Sequence, residues 1–285
     1  MTNPLGANAW IWVSPLTDER LAALAPRVRA WGFDLLELPI EQHGDWDPAR
    51  AAEVLQQHGL RPTVCVAMGP GRELCATDAG TVASTQAFLK ECIDTAAVLG
   101  AGAIAGPIYA SVGRTWRMSP EERRQCYAEL RDGLRPVAEY GAERGVKVAV
   151  EPLVRYETSV INTVEQALEA IDGLPPEGCG LLVDTYHANV EEKDFGAAFT
   201  LAGDRLAHVH ASANDRGAPG ADHIDWPAFR DALRTAGYDG PVVIESFTAE
   251  NETIATAASV WRPLAASQDA IAVDGLAFLR ELLAD

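Results

Sequence analysis

The sequence predicts an α/β chain that folds as a (β/α)8 TIM barrel, with one domain over residues 1–285. Short apolar runs recur eight times, and helical patterns lie between them and after the last one. In addition, the last four runs end in a carboxylate or an imidazole, at positions that would share one face of such a barrel. The predicted strands lie near residues 7–13, 34–39, 62–68, 102–108, 146–152, 180–186, 205–211 and 241–247.

Local signals mark where the predicted helices begin and end. Asp47 precedes Pro48, and Ser119 and Thr163 each stand three residues before Glu or Gln, as in a capping box. A long helix is predicted over 119–144, where apolar residues recur at spacings of three and four. An open, doubly wound sheet is the alternative, but it would gather the later strand ends around one point less naturally. Glycines that can close helices follow the predicted ones at Gly32, Gly59, Gly100, Gly145 and Gly237.

Composition and charge narrow the class of protein. The chain is 48% hydrophobic, carries a net charge of −18 and has only three lysines, at 90, 147 and 193. An acidic surface repels nucleic acid and anionic membranes, so neither is expected as a partner. The most apolar stretch, residues 96–112, is broken by glycines and Pro107, which predicts a helix end and a buried strand instead of a membrane span. The first nine residues lack the pattern of a signal peptide.

The five cysteines favour a reducing compartment. Their number is odd, no Cys-x-x-Cys pair occurs, and Cys65, Cys92 and Cys179 lie in or beside apolar segments. We therefore expect reduced thiols that pack as small hydrophobic side chains. Disulfides are rare in the cytosol, so a cytoplasmic location is predicted. The same spacing argues against a structural zinc site.

Four side chains that suit a metal ion stand at the ends of the last four predicted strands. They are Glu151, Asp184, His210 and Glu245. Each interval is long enough for one strand–helix–strand crossover, and parallel strands joined in this way present their carboxyl ends on one face. Carboxylates with one imidazole suit Mn²⁺ or Mg²⁺, and also Co²⁺ or Zn²⁺. We therefore predict one divalent-metal site with carboxylate oxygens left over to move protons.

Further polar side chains follow in the loops beyond three of these strand ends. Glu157, His187 and Arg216 lie a few residues past the predicted ligands, about the reach needed to hold substrate hydroxyls. His208 points the same way as His210, because strand side chains alternate, and we interpret it as a packed residue behind the ligand. Candidates to shape a pocket near other strand ends are Trp12, Cys65, Met68 and Trp116.

Four motifs occur in order in the second half of the chain. They are Glu151-Pro-Leu-Val-Arg-Tyr-Glu157, Asp184-Thr-Tyr-His-Ala-Asn189, His208-Val-His210 with Arg216, and Ile244-Glu245-Ser-Phe247. With them, the sequence resembles the ketose 3-epimerases, the D-tagatose and D-psicose (D-allulose) 3-epimerase group of the xylose-isomerase-like barrels. The resemblance extends from Gly32-Phe-Asp-Leu-Leu-Glu37 to Val260-Trp-Arg262.

The resemblance implies a metal-dependent isomerase that inverts C3 of free, non-phosphorylated ketoses. It also implies a homodimer or homotetramer whose partner molecule is a small sugar. One divalent ion is implied, with Mn²⁺ expected and Co²⁺ or Mg²⁺ as alternatives. Its implied ligands are Glu151, Asp184, His210 and Glu245.

The resemblance assigns roles to five side chains in this reaction. Glu151 and Glu245 would be the acid/base pair, and Glu157, His187 and Arg216 would bind the carbonyl end of the sugar. The chemistry of the reaction agrees with these roles. The hydrogen at C3 is only weakly acidic, so an ion must stabilise the enediolate that forms when it leaves. Inversion then requires one group on each face of the substrate.

Other functions stay open on the same scaffold. Inosose dehydratases, hydroxypyruvate isomerases and epimerases of 3-keto-glycosides also enolise next to a carbonyl, and a non-enzymatic sugar-binding barrel is a further alternative. A hydride-shifting aldose isomerase or a Schiff-base aldolase would need a catalytic lysine, and Lys147 begins a strand at the wrong end of the barrel. A phosphosugar enzyme would need a phosphate cradle near the last strands, which Gly240 and Pro241 do not supply.

Overall fold

The computed structural model describes residues 3–284, and within them eight parallel strands close into a barrel. Each strand pairs with its neighbours in sequence, and the first pairs with the eighth. This confirms the (β/α)8 barrel and rules out an open sheet. The strands are Leu5–Asn8 (β1), Leu35–Ile40 (β2), Arg61–Val66 (β3), Ala103–Gly106 (β4), Lys147–Val150 (β5), Cys179–Asp184 (β6), Leu206–Ala211 (β7) and Val242–Ile244 (β8).

The helices begin where the sequence signals predict. Ser119 caps the long helix, accepting from the backbone N–H of Glu122 while the Glu122 side chain accepts from the N–H of Ser119. At Thr163 only half of the predicted box forms, because Gln166 accepts from Asn162 instead. The α-helices among the described residues are Asp18–Trp31 (α1), Pro48–His58 (α2), Ala79–Leu99 (α3), Pro120–Ala142 (α4), Val164–Ala170 (α5), Thr185–Glu191 (α6), Phe195–Ala202 (α7), Trp226–Ala236 (α8), Glu252–Ala257 (α9) and Gln268–Leu282 (α10).

The predicted bounds of the first strand, 7–13, are wrong, because the strand begins earlier and is shorter. The strand ends at Asn8, whose side chain accepts from the backbone N–H of Trp10 and so caps a turn of 3₁₀ helix over Ala9–Ile11. Residues of the strand and of the 3₁₀ turn are both buried, so the sequence is apolar throughout and does not show where the strand ends. Trp10 is thereby directed to the mouth of the barrel, where it lines a cavity.

Apolar side chains pack against both the outer and the inner face of the barrel wall. Outside it, strand and helix side chains form one continuous buried cluster. Phe199 of α7 and Phe229 of α8 meet there edge to face, with ring centroids 5.2 Å apart, and burying one such ring contributes about 1.5–3 kcal/mol. Inside the barrel, a small cluster of Ala105, Ala149 and Leu182 fills the space. Polar side chains occupy the interior nearer the carboxyl ends of the strands.

The five cysteines are all free and buried, as predicted. Within residues 3–284, no helix is long and apolar enough to cross a membrane.

Candidate metal centre and active site

The four predicted ligands meet at the carboxyl end of the barrel. Glu151 directly follows β5, Asp184 is the last residue of β6, and Glu245 directly follows β8. His210 stands opposite Asp184 in the pairing of β7 with β6. All four are buried, and the most exposed of them, Glu245, retains only 6% of its accessible surface. Strand ends that are distant in sequence therefore place these side chains in one buried region.

Candidate ligand atoms form three groups, two of which share Asp184, while the third consists of Glu37, His208 and His210. One atom each of Asp184, His210 and Glu245 lie within 4.8 Å of one another, and so do atoms of Glu151, Asp184 and His187. Ligands on opposite sides of a small divalent ion stand roughly 4 Å apart. The group of Asp184, His210 and Glu245 therefore has the dimensions of part of one coordination shell, and Glu151 adjoins it through Asp184.

The surroundings of the His210 ring suit a bound cation at one of its two nitrogen atoms. Its Nε2 lies 2.8 Å from Oε2 of Glu37, whereas its Nδ1 is buried without a hydrogen-bonding partner among the described residues. Nδ1 is 3.3 Å from Oε1 of Glu245. Burial opposes a charge on this ring, but the carboxylates of Glu245 and Glu37 outweigh it and raise the pKa of His210 well above its ordinary value. The surroundings of Nδ1 thus favour a positive charge, and the donor set fits Mn²⁺, Co²⁺ or Mg²⁺.

Arg216 links two of these ligands to each other. Its Nη1 donates to Oδ2 of Asp184 at 2.7 Å, to Oε2 of Glu245 at 2.9 Å and to the hydroxyl of Ser212 at 3.0 Å. The backbone of Arg216 is left-handed, with φ of 63°, and its carbonyl accepts from the hydroxyl of Ser246 at 2.6 Å. A non-glycine residue is held in this conformation only where the surroundings determine it. The loop after β7 is therefore shaped to aim one guanidinium at the site.

The tautomer of His187 follows from its backbone contact. Its Nδ1 accepts from the N–H of Val154 at 3.0 Å, so the proton of the neutral ring is on Nε2. Burial, followed by the nearby charge of Arg216, lowers the pKa of His187 to about 3. Its Nε2 lies 3.8 Å from Oε1 of Glu151 and 3.2 Å from Nη2 of Arg216. His187 is therefore a neutral donor at this place.

Burial acts on the carboxylates of the site to different extents. It raises the pKa of Glu151 well above its ordinary value, and the charge of Glu245 raises it further. Burial also opposes the charge of Glu245, but His210 and Arg216 outweigh it and lower that pKa. The pKa of Glu157 rises to about 7, because burial outweighs the attraction of Arg216. The protein groups alone therefore oppose the charge of Glu151 more than that of Glu245, and a cation bound between them would favour the ionised form of both.

A cavity of about 260 Å³ opens over these groups. Glu157 and Arg216, both predicted to bind substrate, line it. Cys65 and Met68 also line it, as predicted, whereas Trp12 stacks on Trp31 outside the lining. Trp116 is also absent from the lining residues described. Further apolar side chains of the wall are those of Trp10, Val66, Val112, Phe247, Ile254 and Ala257.

A wider depression of about 570 Å³ lies at the opposite, amino-terminal end of the barrel. Lys147 lines this depression, away from the strand ends that carry Glu151 and Glu245. This agrees with the prediction that Lys147 cannot serve as a Schiff-base lysine at the site.

Comparison with known proteins places this geometry in a family. The profile of the family described as xylose isomerase-like TIM barrel matches residues 25–282. A protein of Synechocystis sp. named probable ketose 3-epimerase is 34% identical over 97% of this chain and 95% of its own length. The chain belongs to the ketose 3-epimerase family. It is accordingly an enzyme of the isomerase class.

Further relatives agree with this ketose 3-epimerase assignment. The ketose 3-epimerase of Arthrobacter globiformis is 30% identical over 98% of this chain and 96% of its own length. The crystal structure of D-allulose 3-epimerase from Methylomonas sp. in complex with D-allulose has a TM-score of 0.90 and 27% identity, covering 98% of this chain and 97% of that one.

Glu37, a buried carboxylate next to the proposed ligand His210, was not identified from the sequence as part of the site. Glu37 of β2 is fully buried and contacts both histidines of β7, with Oε1 2.6 Å from Nε2 of His208. Asn8 donates to its Oε2 at 2.8 Å. His208 is packed behind the site, as interpreted from the strand alternation. A signal was present for Glu37, because a carboxylate within the otherwise uncharged run of β2 must find buried partners.

Proposed function

We propose that this protein inverts C3 of free ketoses by removing a proton from one face and returning one to the other. Glu151, Asp184, His210 and Glu245 would hold the divalent ion that assists. The observation that carries the proposal is that Glu151 and Glu245 enter one buried cavity together with a set of candidate ion ligands. Relatives named ketose 3-epimerase, matched over nearly their whole length, support the reaction class.

Two glutamates at separated strand ends suit a two-base inversion. When bound, the ion would polarise the oxygens beside the reacting carbon and so ease the loss of its hydrogen. Glu151 and Glu245 follow β5 and β8, which are separated in the closed barrel by β6 and β7. Their carboxylates can therefore address a sugar from different sides, as inversion demands. One glutamate would take the proton from one face while the other returns one to the opposite face, and the roles would exchange in the reverse direction.

His187 and Arg216 supply two donors aimed at one place. The Nε2–H of His187 and the Nη2 group of Arg216 lie 3.2 Å apart and are both donors, so neither satisfies the other. An acceptor oxygen between them would satisfy both, and a ketose carbonyl oxygen is such an acceptor. Glu157 lines the same cavity and would accept from a neighbouring hydroxyl. These contacts would hold the carbonyl end of the sugar.

The charges of the cavity favour a sugar without phosphate. Arg72 lines the cavity, but its guanidinium already donates to the backbone oxygens of Glu41 and Ala67 and to the side chain of Gln42. The carboxylate of Glu157 faces the same space. A phosphate group would therefore meet repulsion, because Arg72 is already occupied and the charge of Arg216 is balanced by Asp184 and Glu245.

Isotope exchange tests the reaction and separates the alternatives. The protein is loaded with Mn²⁺ in D₂O and incubated with fructose, allulose, tagatose and ribulose, and in parallel with a 3-keto-glycoside, an inosose and hydroxypyruvate. We expect deuterium at C3 of at least one free ketose together with its C3 epimer. Exchange only in the second set of compounds would overturn the ketose assignment. Binding without exchange would indicate a sugar-binding barrel.

Glutamine variants test the two-base assignment. Glu151→Gln and Glu245→Gln should each lower epimerisation by about 10²- to 10⁴-fold. If each glutamate serves one face, each variant should still exchange the C3 hydrogen of one epimer. Glu73→Gln is the matched control, because Glu73 is a buried carboxylate that pairs with Arg114 outside the cavity. Wild-type epimerisation by either Glu151→Gln or Glu245→Gln would contradict the assignment.

Metal identity, assembly and location are each proposed on a separate ground. The donor set of carboxylates with one imidazole fits Mn²⁺, Co²⁺ or Mg²⁺, and Mn²⁺ is the proposed ion because the family resemblance favours it. A homodimer or homotetramer follows from the family resemblance and stays a prediction, which sedimentation velocity can test. A cytoplasmic location is proposed on the five free, buried thiols.

A further inference from the structure

Glu37 is a fully buried carboxylate located behind the proposed ion site. It lies on β2, and its two carboxylate oxygens contact three side-chain nitrogen atoms from other strands. Oε1 is 2.6 Å from Nε2 of His208, and Oε2 is 2.8 Å from both Nε2 of His210 and Nδ2 of Asn8. A buried charge is costly unless such partners compensate for it. These polar contacts therefore hold Glu37 in one position.

This contact determines which nitrogen of His210 is available. A carboxylate accepts hydrogen bonds only, so the Nε2 atom of His210 that faces Glu37 carries a proton. The other nitrogen, Nδ1, is then the one that can bind an ion. It is the buried nitrogen without a hydrogen-bonding partner among the described residues, and it belongs to the group with Asp184 and Glu245. The orientation of the ring toward the ion site thus depends on Glu37.

We propose that Glu37 is a positioning residue for the metal centre: it fixes the tautomer and the orientation of His210. The inference rests on the proposed function, because it takes the ion to bind at Asp184, His210 and Glu245. Histidine ligands commonly donate their second ring N–H to a carboxylate, and loss of that partner typically costs 10- to 100-fold in metal affinity. His208 and Asn8 would act one step further back by holding Glu37.

A second ion at Glu37, His208 and His210 is the competing interpretation, since their ligand atoms also lie within 4.8 Å of one another. The distances favour direct contacts instead. Nε2 of each histidine lies 2.6–2.8 Å from a different oxygen of Glu37, closer than the roughly 3 Å that separates neighbouring ligands of a small octahedral ion. The contact with His210 also has hydrogen-bond geometry, whereas Nε2 of His208 and Oε1 of Glu37 touch without it. In addition, the Nδ2 group of Asn8 is a donor and cannot serve as a ligand.

Metal titration of Glu37→Gln tests the inference. Glutamine keeps the size of the side chain but removes its charge and one acceptor. Calorimetric titration of metal-free protein with Mn²⁺ should show a dissociation constant raised about 10- to 100-fold, with one ion per chain throughout. Glu73→Gln is again the control, and its dissociation constant should equal that of the wild type. Circular dichroism in EDTA checks that both variants are folded.

The outcomes separate this inference from the proposed function. Wild-type protein that binds no Mn²⁺ contradicts the proposed function and this inference with it. Normal binding by the wild type together with unchanged binding by Glu37→Gln contradicts the inference alone. Two ions per wild-type chain, falling to one in Glu37→Gln, would overturn it in favour of a second ion site.

A measurement on the wild type covers the case in which Glu37→Gln does not fold. In Co²⁺-loaded protein, the proton spectrum should contain one strongly shifted imidazole N–H signal that exchanges slowly with water, because Nε2–H of His210 is held against a buried carboxylate. Absence of that signal, or rapid exchange of it, contradicts the inference. This readout reports the tautomer of His210 and would not respond to a purely structural role of Glu37.

Discussion

Replacement of Arg216 by methionine tests how the buried charges at the barrel mouth are balanced. The guanidinium pairs with Asp184 and Glu245, and all three side chains are more than nine-tenths buried. Methionine keeps much of the apolar stem and, like arginine, carries a Cβ in the left-handed backbone, so the variant removes mainly the charge. Losing one partner of a buried ion pair costs about 3–5 kcal/mol. For a chain of 285 residues, that corresponds to a melting temperature lowered by roughly 5–8 °C.

Thermal unfolding in EDTA, followed by circular dichroism, measures this loss. Added Mn²⁺ should restore part of it in Arg216→Met, because the cation would neutralise the same carboxylates. Arg216→Lys is the matched control and should fall between the variant and the wild type, since one ammonium group keeps the charge without the fork of donors. An Arg216→Met protein that melts with the wild type in EDTA would refute the charge balance described here.

Three further predictions concern the ion, a strand end and a helix cap. Dialysis against EDTA should abolish epimerisation and Mn²⁺ or Co²⁺ should restore it; activity that survives chelation would contradict a role for the ion. Gly106→Ala should cost about 1–3 kcal/mol in urea unfolding, because its φ is 138° and a Cβ would stand 2.9 Å from the carbonyl of Val66. Gly102→Ala, where a Cβ meets nothing within 4 Å, is the control and should match the wild type. Ser119→Ala should cost about 1 kcal/mol by removing the cap of α4, with unchanged turnover; an unchanged melting temperature would contradict the contribution of the cap.

The part of the site that could be predicted from sequence lies on regular elements. Glu151, Asp184, His210 and Glu245 stand at equivalent ends of successive strands, so the periodicity of the barrel alone brings them to one face. Glu157 and Arg216 lie in loops and His187 lies in the short helix α6. These three residues gained their roles from the family resemblance, because no strand periodicity reaches them. Their placement in the cavity agrees with those roles but leaves them to be tested.

Other features depend on contacts that no local pattern reports. Glu37 and His210 are 173 positions apart in sequence, and only closure of the barrel reveals that they touch. The first strand was predicted too late because the apolar run from Ala7 to Val13 does not show that Asn8 caps a turn. The cavity wall draws Phe247 and Ile254 from a strand end and a short helix whose positions relative to Trp10 are set by tertiary packing.

The proposed site residues and part of the cavity wall come from different halves of the chain, and this has a consequence for redesign. The proposed ligands and loop donors all come from residues 151–245, whereas Trp10, Cys65 and Met68 of the facing wall come from the first three strand–helix units. Grafting those three units from a relative would exchange this part of the cavity wall, while the proposed acid/base pair, Glu151 and Glu245, stays in its native context. Glu37 travels with the graft, so a chimaera should remain competent only when the donor also contributes an acidic side chain at that place in its second strand.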